Sequence, residues 1–251
     1  MITRNYSELP PLRSDPEKHL ADTRAYIARM CASAAEEMSE FFTKRGEGYD
    51  AHMAQFSSCY DVTASHIPAD CRYLLALGCG TGLELDALDR ICLAENRPFP
   101  SVVGIDMTQS LVDQLFAKHP DKDITVQMGS YFEVPLGVEE YDCAVSVESL
   151  HHFSLAEKLP LFRRIRDALK PGGVFLQCDY FASCEAEVEM CEEHWRIRRA
   201  MNDSIGNDDF VHVDRPKMAY DEAAVMLEAG FSDVLYCTVG VEGTLLLIAR
   251  K

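Results

Sequence analysis

The segment Leu77-Gly78-Cys79-Gly80-Thr81-Gly82 puts a glycine at every second position, where the apolar run 73–77 gives way to a helical pattern starting at Leu83. Glycine lets a backbone approach a ligand closely and take positive φ without a Cβ clash. Open α/β sheets hold ligands at this kind of strand-to-helix bend. The dinucleotide fingerprint needs a further glycine where this chain has Leu83, so GxGxG fits a nucleoside-containing ligand better than a pyrophosphate. Asp106 ends the next apolar run and offers a carboxylate that would accept both ribose hydroxyls. Glycines also occur simply to close tight turns. The loop alone leaves both uses open, and Asp106 in register favours the ligand.

His151 and His152 follow a later apolar run, 143–147. Histidine titrates near neutrality, so the pair is the candidate proton acceptor, His152 first. One member of such a pair also commonly packs, satisfied, beneath the following helix. Glu148, Asp179 and Tyr180 lie beyond strand ends, where they would hydrogen-bond a substrate or serve as ordinary loop polarity.

These residues need a scaffold, and the chain alternates apolar strands with helical patterns. Strands are expected at 73–77, 101–105, 124–128, 143–147 and 174–178, with helices at 83–93, 108–118 and 154–169. Fully apolar strands separated by helices predict a parallel sheet covered on both faces. Two final strands, 234–239 and 244–249, are joined by only Gly240-Val241-Glu242-Gly243, which is too short for a parallel crossover and forces a reversed strand near the C-terminal edge. Ahead of the sheet, Ser14-Asp15-Pro16-Glu17 starts a helix whose apolar stripe runs from Tyr26 to Phe42, and Gly46 and Gly48 end it. The expected division is a helical cap at 1–70 and a core at 71–251. A charged helix at 183–201 and a glycine- and aspartate-containing loop to Pro216 interrupt the core, giving a lid insertion at 181–219. Tyr180, Trp195 and His212 are its candidate substrate contacts. Its arginines complement the helix dipole and need no anionic substrate.

With 251 residues, 47% of them hydrophobic, the chain is long enough for a full doubly covered sheet. Lys and Arg number 24 against 41 Asp and Glu, a net charge of −17, which disfavours nucleic acid as a partner. No apolar run reaches membrane-spanning length and no secretory signal is read at the N-terminus, so no membrane association is expected. The ten cysteines are scattered without a CxxC pair; they read as small core residues in a reducing cytoplasm, and no metal-ligand set is assigned. Oligomeric state is not legible.

LGCGTG, the downstream GID, GSYF at 129–132, YDCAVSVESLHHF, LKPGG and the terminal hairpin together resemble the class I S-adenosylmethionine-dependent methyltransferases. FFTKRGEGYDAHM resembles the helical cap of a small-molecule, bacterial-type branch of that family. The resemblance implies an α/β, doubly wound, seven-stranded, mostly parallel sheet with one antiparallel strand. It also implies S-adenosylmethionine as cofactor. Gly78, Gly80 and Gly82 would line its methionine portion, Asp106 would hold the ribose and Met107 would pack on adenine. Gly129, Ser130 and Tyr131 would border the adenine edge, Val147 would face the cofactor, and Tyr49 and Arg45 would close the pocket. Two positions depart from the pattern: Ala76 and Ser130 stand where relatives often carry acids.

The expected activity is therefore methyl transfer to a small-molecule acceptor in a lid-covered pocket. The competing reading keeps the fold without catalysis, as a nucleoside-binding sensor or partner subunit. An RNA or protein methyltransferase is disfavoured by charge and by the lack of an amino-methylation motif, and an NAD-dependent oxidoreductase by Leu83.

Overall fold

The computed structural model describes residues 1–201 and 210–251. Part of the loop expected ahead of Pro216, residues 202–209, lies outside the described residues.

The segments expected as strands do form strands: β2 (Tyr73–Leu77), β3 (Ser101–Asp106), β4 (Ile124–Met128), β5 (Tyr141–Val147) and β6 (Leu169–Tyr180). The central ones, β2 and β5, are buried on both faces over most of their length. With β7 (Asp233–Thr238), β8 (Thr244–Arg250) and a short β1 (Ile2–Thr3), they make one sheet in the order β1-β7-β8-β6-β5-β2-β3-β4. The strands from β6 to β4 pair in parallel, whereas β8 runs antiparallel to both β6 and β7. The reversed strand is thus the one expected from the short 240–243 link. The eighth strand was not expected: Ile2 and Thr3 pair with Cys237 and Tyr236 at the sheet edge, so the chain's first residues join the core and not the helical cap.

The β2 side chains divide between the two sheet faces. Leu75 and Leu77 join Phe162, Phe175 and Met226 on one side, beneath α7 (Leu155–Ala168) and α9 (Ala219–Glu228). Leu74 and Ala76 join Tyr60, Leu88 and Leu246 on the other, beneath α4 (Ser57–Ser65) and α5 (Leu83–Glu95). Helix α7 starts at a complete capping box: Glu157 N donates to Ser154 Oγ, and Ser154 N donates to Glu157 Oε2 at 2.8 Å. Lys158 of α7 and Glu222 of α9 form a fully buried ion pair at 2.7 Å beneath these helices.

The apolar stripe from Tyr26 to Phe42 is divided between two helices, α1 (Pro16–Met30) and α2 (Met38–Arg45). The intervening chain is extended because it pairs with a distant segment. Glu37 bridges Val211, Met38 N donates to Phe210 O at 2.9 Å, and His212 N donates to Glu36 O at 2.9 Å. This exchange of helical for strand-like bonds carries Met38 and Phe42, with Phe210 and His212, over the carboxyl ends of the sheet. The charged helix α8 (Glu185–Ala200) docks on α1: His19 Nε2 meets Glu187 Oε1 at 2.9 Å, and Arg198 donates to Ser33 O and Ala34 O. The arginine thereby serves the packing of cap on lid.

Candidate active site

The glycine loop is held from below by its neighbouring strand. Gly78 N and Cys79 N donate to Ile105 O, and Gly80 N donates to Asp106 Oδ2 at 2.7 Å. The other carboxylate oxygen of Asp106 accepts Thr108 N at 2.8 Å. Burial raises the pKa of Asp106 while these N–H donors pull it back. An ionised carboxylate has about four acceptor sites, so the Gly80 and Thr108 N–H groups alone do not saturate it. Gly78 and Gly80 have φ of +67° and +46°, and a Cβ on Gly78 would collide with Ser149 Oγ. The loop therefore requires glycine at position 78, and glycine at position 80 spares it the cost of a left-handed φ.

Above the loop lies a cavity of about 630 Å³ counting its open mouth. It brings together Tyr49, Gly78, Gly80, Asp106, Met107, Gly129, Ser130, Tyr131 and Val147. Tyr49 belongs to the short helix α3 (Tyr49–Met53), and burial pushes its phenol pKa upward. Tyr131 is anchored by its hydroxyl on Ser149 O at 3.2 Å. Ser130 Oγ accepts Phe132 N at 3.2 Å, which leaves its own proton for the cavity. Met38, Phe42, Leu111 and Phe210 also line this space. Sequence reasoning passed over Met38, Phe42 and Leu111 because an apolar stripe on a helix reads equally well as core, whereas Phe210 reads as part of the lid.

Two expected cofactor contacts are corrected. Gly82 lies outside the cavity, at the N-cap of α5 against Leu115, so it serves the turn and not the ligand. Arg45 is not in this cavity either: it pairs with Glu36 at 3.1 Å, donates to Phe41 O and covers the Phe41 ring, on the wall of an adjoining chamber. The missing acid at Ala76 leaves no gap in the support of the loop. Ala76 is fully buried in β2, and the loop is held by Asp106 below and by Asp50 of α3, which accepts Thr81 Oγ1 at 2.5 Å.

A second, larger chamber of about 1940 Å³ counting its open mouth adjoins the first. Phe42, Tyr49, Glu148 and His152 line both. His151, Tyr180, His212 and Asp214 line only the second of these two. Tyr180 is fixed by its hydroxyl on Glu187 at 2.6 Å, and His212 stacks on Phe41 at 3.3 Å between ring centroids. Trp195 is corrected: it reaches none of these spaces and packs instead on Ala35, Val211 and Val213 beneath the Arg215 guanidinium. The lid helix turns that ring toward the loop it braces.

His151 and His152 sit where the two spaces meet. His151 Nδ1 lies 2.6 Å from Asp179 Oδ1, and its Nε2 faces Asp214 Oδ1 at 3.5 Å. His152 is almost fully buried, with Nδ1 3.4 Å from both Val213 O and Asp214 Oδ1. Burial lowers the pKa of both rings, but the Asp179 and Asp214 carboxylates outweigh it at His151 and hold that ring well above its ordinary value. At His152 burial wins, reinforced by its cationic neighbour, so this ring stays neutral. Burial likewise lowers His212 to about 4 and raises Glu148 to about 8. Glu148 holds the left-handed φ of +49°, a costly conformation for a glutamate that places its carboxyl at the junction. Asp214 carried no signal in the sequence, since it lies in an irregular loop far along the chain from the histidines.

Residues 75–177 match the family described as a methyltransferase domain. The cypemycin N-terminal methyltransferase of a Streptomyces species is 35% identical over 140 residues, which is 53% of this chain and 53% of that protein. The chain thus spans about half the length of that relative. A Nostoc punctiforme protein described as a candidate O-methyltransferase superposes with a TM-score of 0.63 at 17% identity, over 96% of this chain and 70% of that one. Human N-acetylserotonin methyltransferase, in a complex with S-adenosylmethionine, gives 0.62 at 17% identity over 93% and 66% of the two chains. With its domain match over residues 75–177, its sheet order and its glycine loop over Asp106, the chain carries a methyltransferase domain and shares the fold of S-adenosylmethionine-dependent methyltransferases.

Proposed function

We propose that the protein transfers the methyl group of S-adenosylmethionine to a small-molecule acceptor, with cofactor and acceptor in the two adjoining spaces. The observation that carries this reading is their shared wall of Phe42, Tyr49, Glu148 and His152. S-adenosylmethionine fits the first cavity: Asp106 offers acceptor sites to its ribose, the Gly78 cradle excludes a Cβ, and Met107 and Leu111 give its adenine an apolar bed. When bound, it supplies an electrophilic methyl on a sulfonium. The chain's own contribution is alignment in an enclosed space, worth roughly 7 kcal/mol or more for a well-positioned pair.

His152 and His151 are the groups that act on the acceptor, His152 because it faces both spaces and His151 because Asp179 fixes its ring. Tyr180 and His212 shape the acceptor end. Apart from the edge strand Ile2–Thr3, residues 1–70 act as a cap, and the described part of 181–219 acts as a lid, over the core of 71–251. A net charge of −17 favours a small acceptor over a nucleic acid. Among the described residues no helix is long and apolar enough to cross a membrane. All ten cysteines are free, which suits a reducing compartment and supports a cytoplasmic location.

The test is calorimetric titration with S-adenosylmethionine and S-adenosylhomocysteine, followed by assay of a panel of hydroxyl, thiol and amine acceptors for release of S-adenosylhomocysteine. The panel includes a peptide N-terminus, on the strength of the cypemycin relative's name. Binding with turnover of at least one acceptor is expected. Binding with no turnover would favour the silent sensor, and no binding would remove the reading.

A further inference from the structure

The chamber wall holds a donor set that alignment alone does not require. His151, His152 and Asp214 each offer one ligand atom within 4.8 Å of the other two. Their separations distinguish hydrogen bonding from shared coordination. His151 Nδ1 is 2.6 Å from Asp179 Oδ1, a hydrogen-bond distance. Asp214 Oδ1, in contrast, is 3.5 Å from His151 Nε2 and 3.4 Å from His152 Nδ1. Good N–H···O bonds span about 2.7–3.2 Å, so both contacts are too long. Two ligands each about 2.1 Å from a tetrahedral ion stand about 3.4 Å apart. Val213 O, which also neighbours the buried His152 Nδ1, is likewise 3.4 Å away.

We propose that His151 Nε2, His152 Nδ1 and Asp214 Oδ1 form a site for a divalent transition-metal ion in the larger chamber, with its fourth position open to that chamber. Two imidazoles and one carboxylate suit zinc, iron or cobalt better than the oxygen-seeking magnesium or calcium. The support behind the ligands fits as well. Metal-bound histidine usually donates its second ring N–H to a carboxylate, and Asp179 takes that place behind His151. Asp179 is itself fixed by Leu150 N at 2.9 Å and Tyr180 N at 3.0 Å. Glu148 is outside the set: its carboxylate faces His151 Nδ1, the nitrogen already committed to Asp179, at 3.9 Å.

Assigning the open position to the acceptor rests on the methyl-transfer reading, whereas the metal site does not. A hydroxyl compound coordinated there would release its proton to solvent through the chamber mouth, as metal-bound water does near neutrality. The oxygen would then stand beside the wall shared with the cofactor cavity. In this arrangement the histidines are ligands, and no separate base is needed.

The test is titration of the chelator-treated protein with Co²⁺, followed by its visible d–d absorption, with Zn²⁺ as competitor. One Co²⁺ per chain, displaced by Zn²⁺, is expected. Asp179→Asn should weaken the affinity about 10–100-fold, and Asp214→Asn, on a half-exposed side chain, by more. Glu148→Gln should retain the ion. Absence of d–d bands, affinity undiminished in Asp214→Asn, or loss on Glu148→Gln alone would overturn the site. Melting curves and S-adenosylhomocysteine titrations of the same samples separate a misfolded variant from a lost ligand. They also separate failure of the metal site from failure of the methyl-transfer reading.

Discussion

Thr81, within the glycine loop, donates its hydroxyl proton to Asp50 at 2.5 Å, so the cap is tied directly to the loop that cradles the ligand. Lys118 joins the same carboxylate at 3.0 Å and holds Asp86 as well. A hydrogen bond to a charged group contributes about 1.5–3 kcal/mol. Asp50→Ala should therefore loosen α3 and its Tyr49, weakening S-adenosylhomocysteine binding about tenfold or more. The melting temperature should fall too, by roughly 2–4 °C per kcal/mol lost, with Lys118 still held by Asp86. Calorimetry and thermal melting on the same variant check both parts.

Gly78→Ala places a Cβ against Ser149 Oγ at a φ of +67°. The strained backbone and the displaced Ser149, which also holds Tyr131, should cost about 1–3 kcal/mol of stability. Cofactor binding should fall further than stability does, since the cradle itself changes shape. Denaturant melts alongside ligand titration would show the two losses. An unchanged affinity would mean that the loop does not touch the ligand.

Glu84, in the first turn of α5, is buried, and that desolvation raises its pKa from 4.5 to about 8. The folded state thus binds this proton more tightly than the unfolded chain does. Its contribution is fully present below about pH 4.5 and is lost as pH rises toward 8, on the order of a few kcal/mol in all. Glu84→Gln should remove this part of the pH dependence and make the protein relatively more stable at pH 9 than at pH 5. Urea denaturation at a series of pH values measures it.

Lys158 and Glu222 are each 1% exposed and 2.7 Å apart, with Gln177 Nε2 also donating to Glu222 at 2.6 Å. Removing one partner leaves a buried charge, so Lys158→Met should destabilise by about 3–5 kcal/mol. The double variant Lys158→Met/Glu222→Leu should recover most of that loss. A double-mutant cycle in denaturant tests the coupling.

The sheet was legible because its central strands are apolar on both faces and the connections fix strand direction; the 240–243 link alone reversed β8. Most of the first cavity was legible for a related reason: loop glycines and a strand-end carboxylate are local signals. The division of α1 from α2 was not, since it depends on residues 35–37 pairing with 210–212, a long-range exchange with no periodicity. Arg45 and Trp195 were misplaced for the same reason, each turned aside by a neighbour that the fold supplies from a distance. Asp214 escaped notice because an isolated acid in a loop resembles any solvated one until the fold sets it against two histidines.

Calorimetric titration of wild type and Asp106→Ala with S-adenosylhomocysteine tests most directly whether the bend after Leu77 and the Asp106 carboxylate together hold a nucleoside. Wild type should bind, and Asp106→Ala should lose at least tenfold in affinity, because both the Gly80 anchor and the ribose acceptor disappear. Equal affinity in a folded Asp106→Ala protein, or no binding by wild type, would contradict the account.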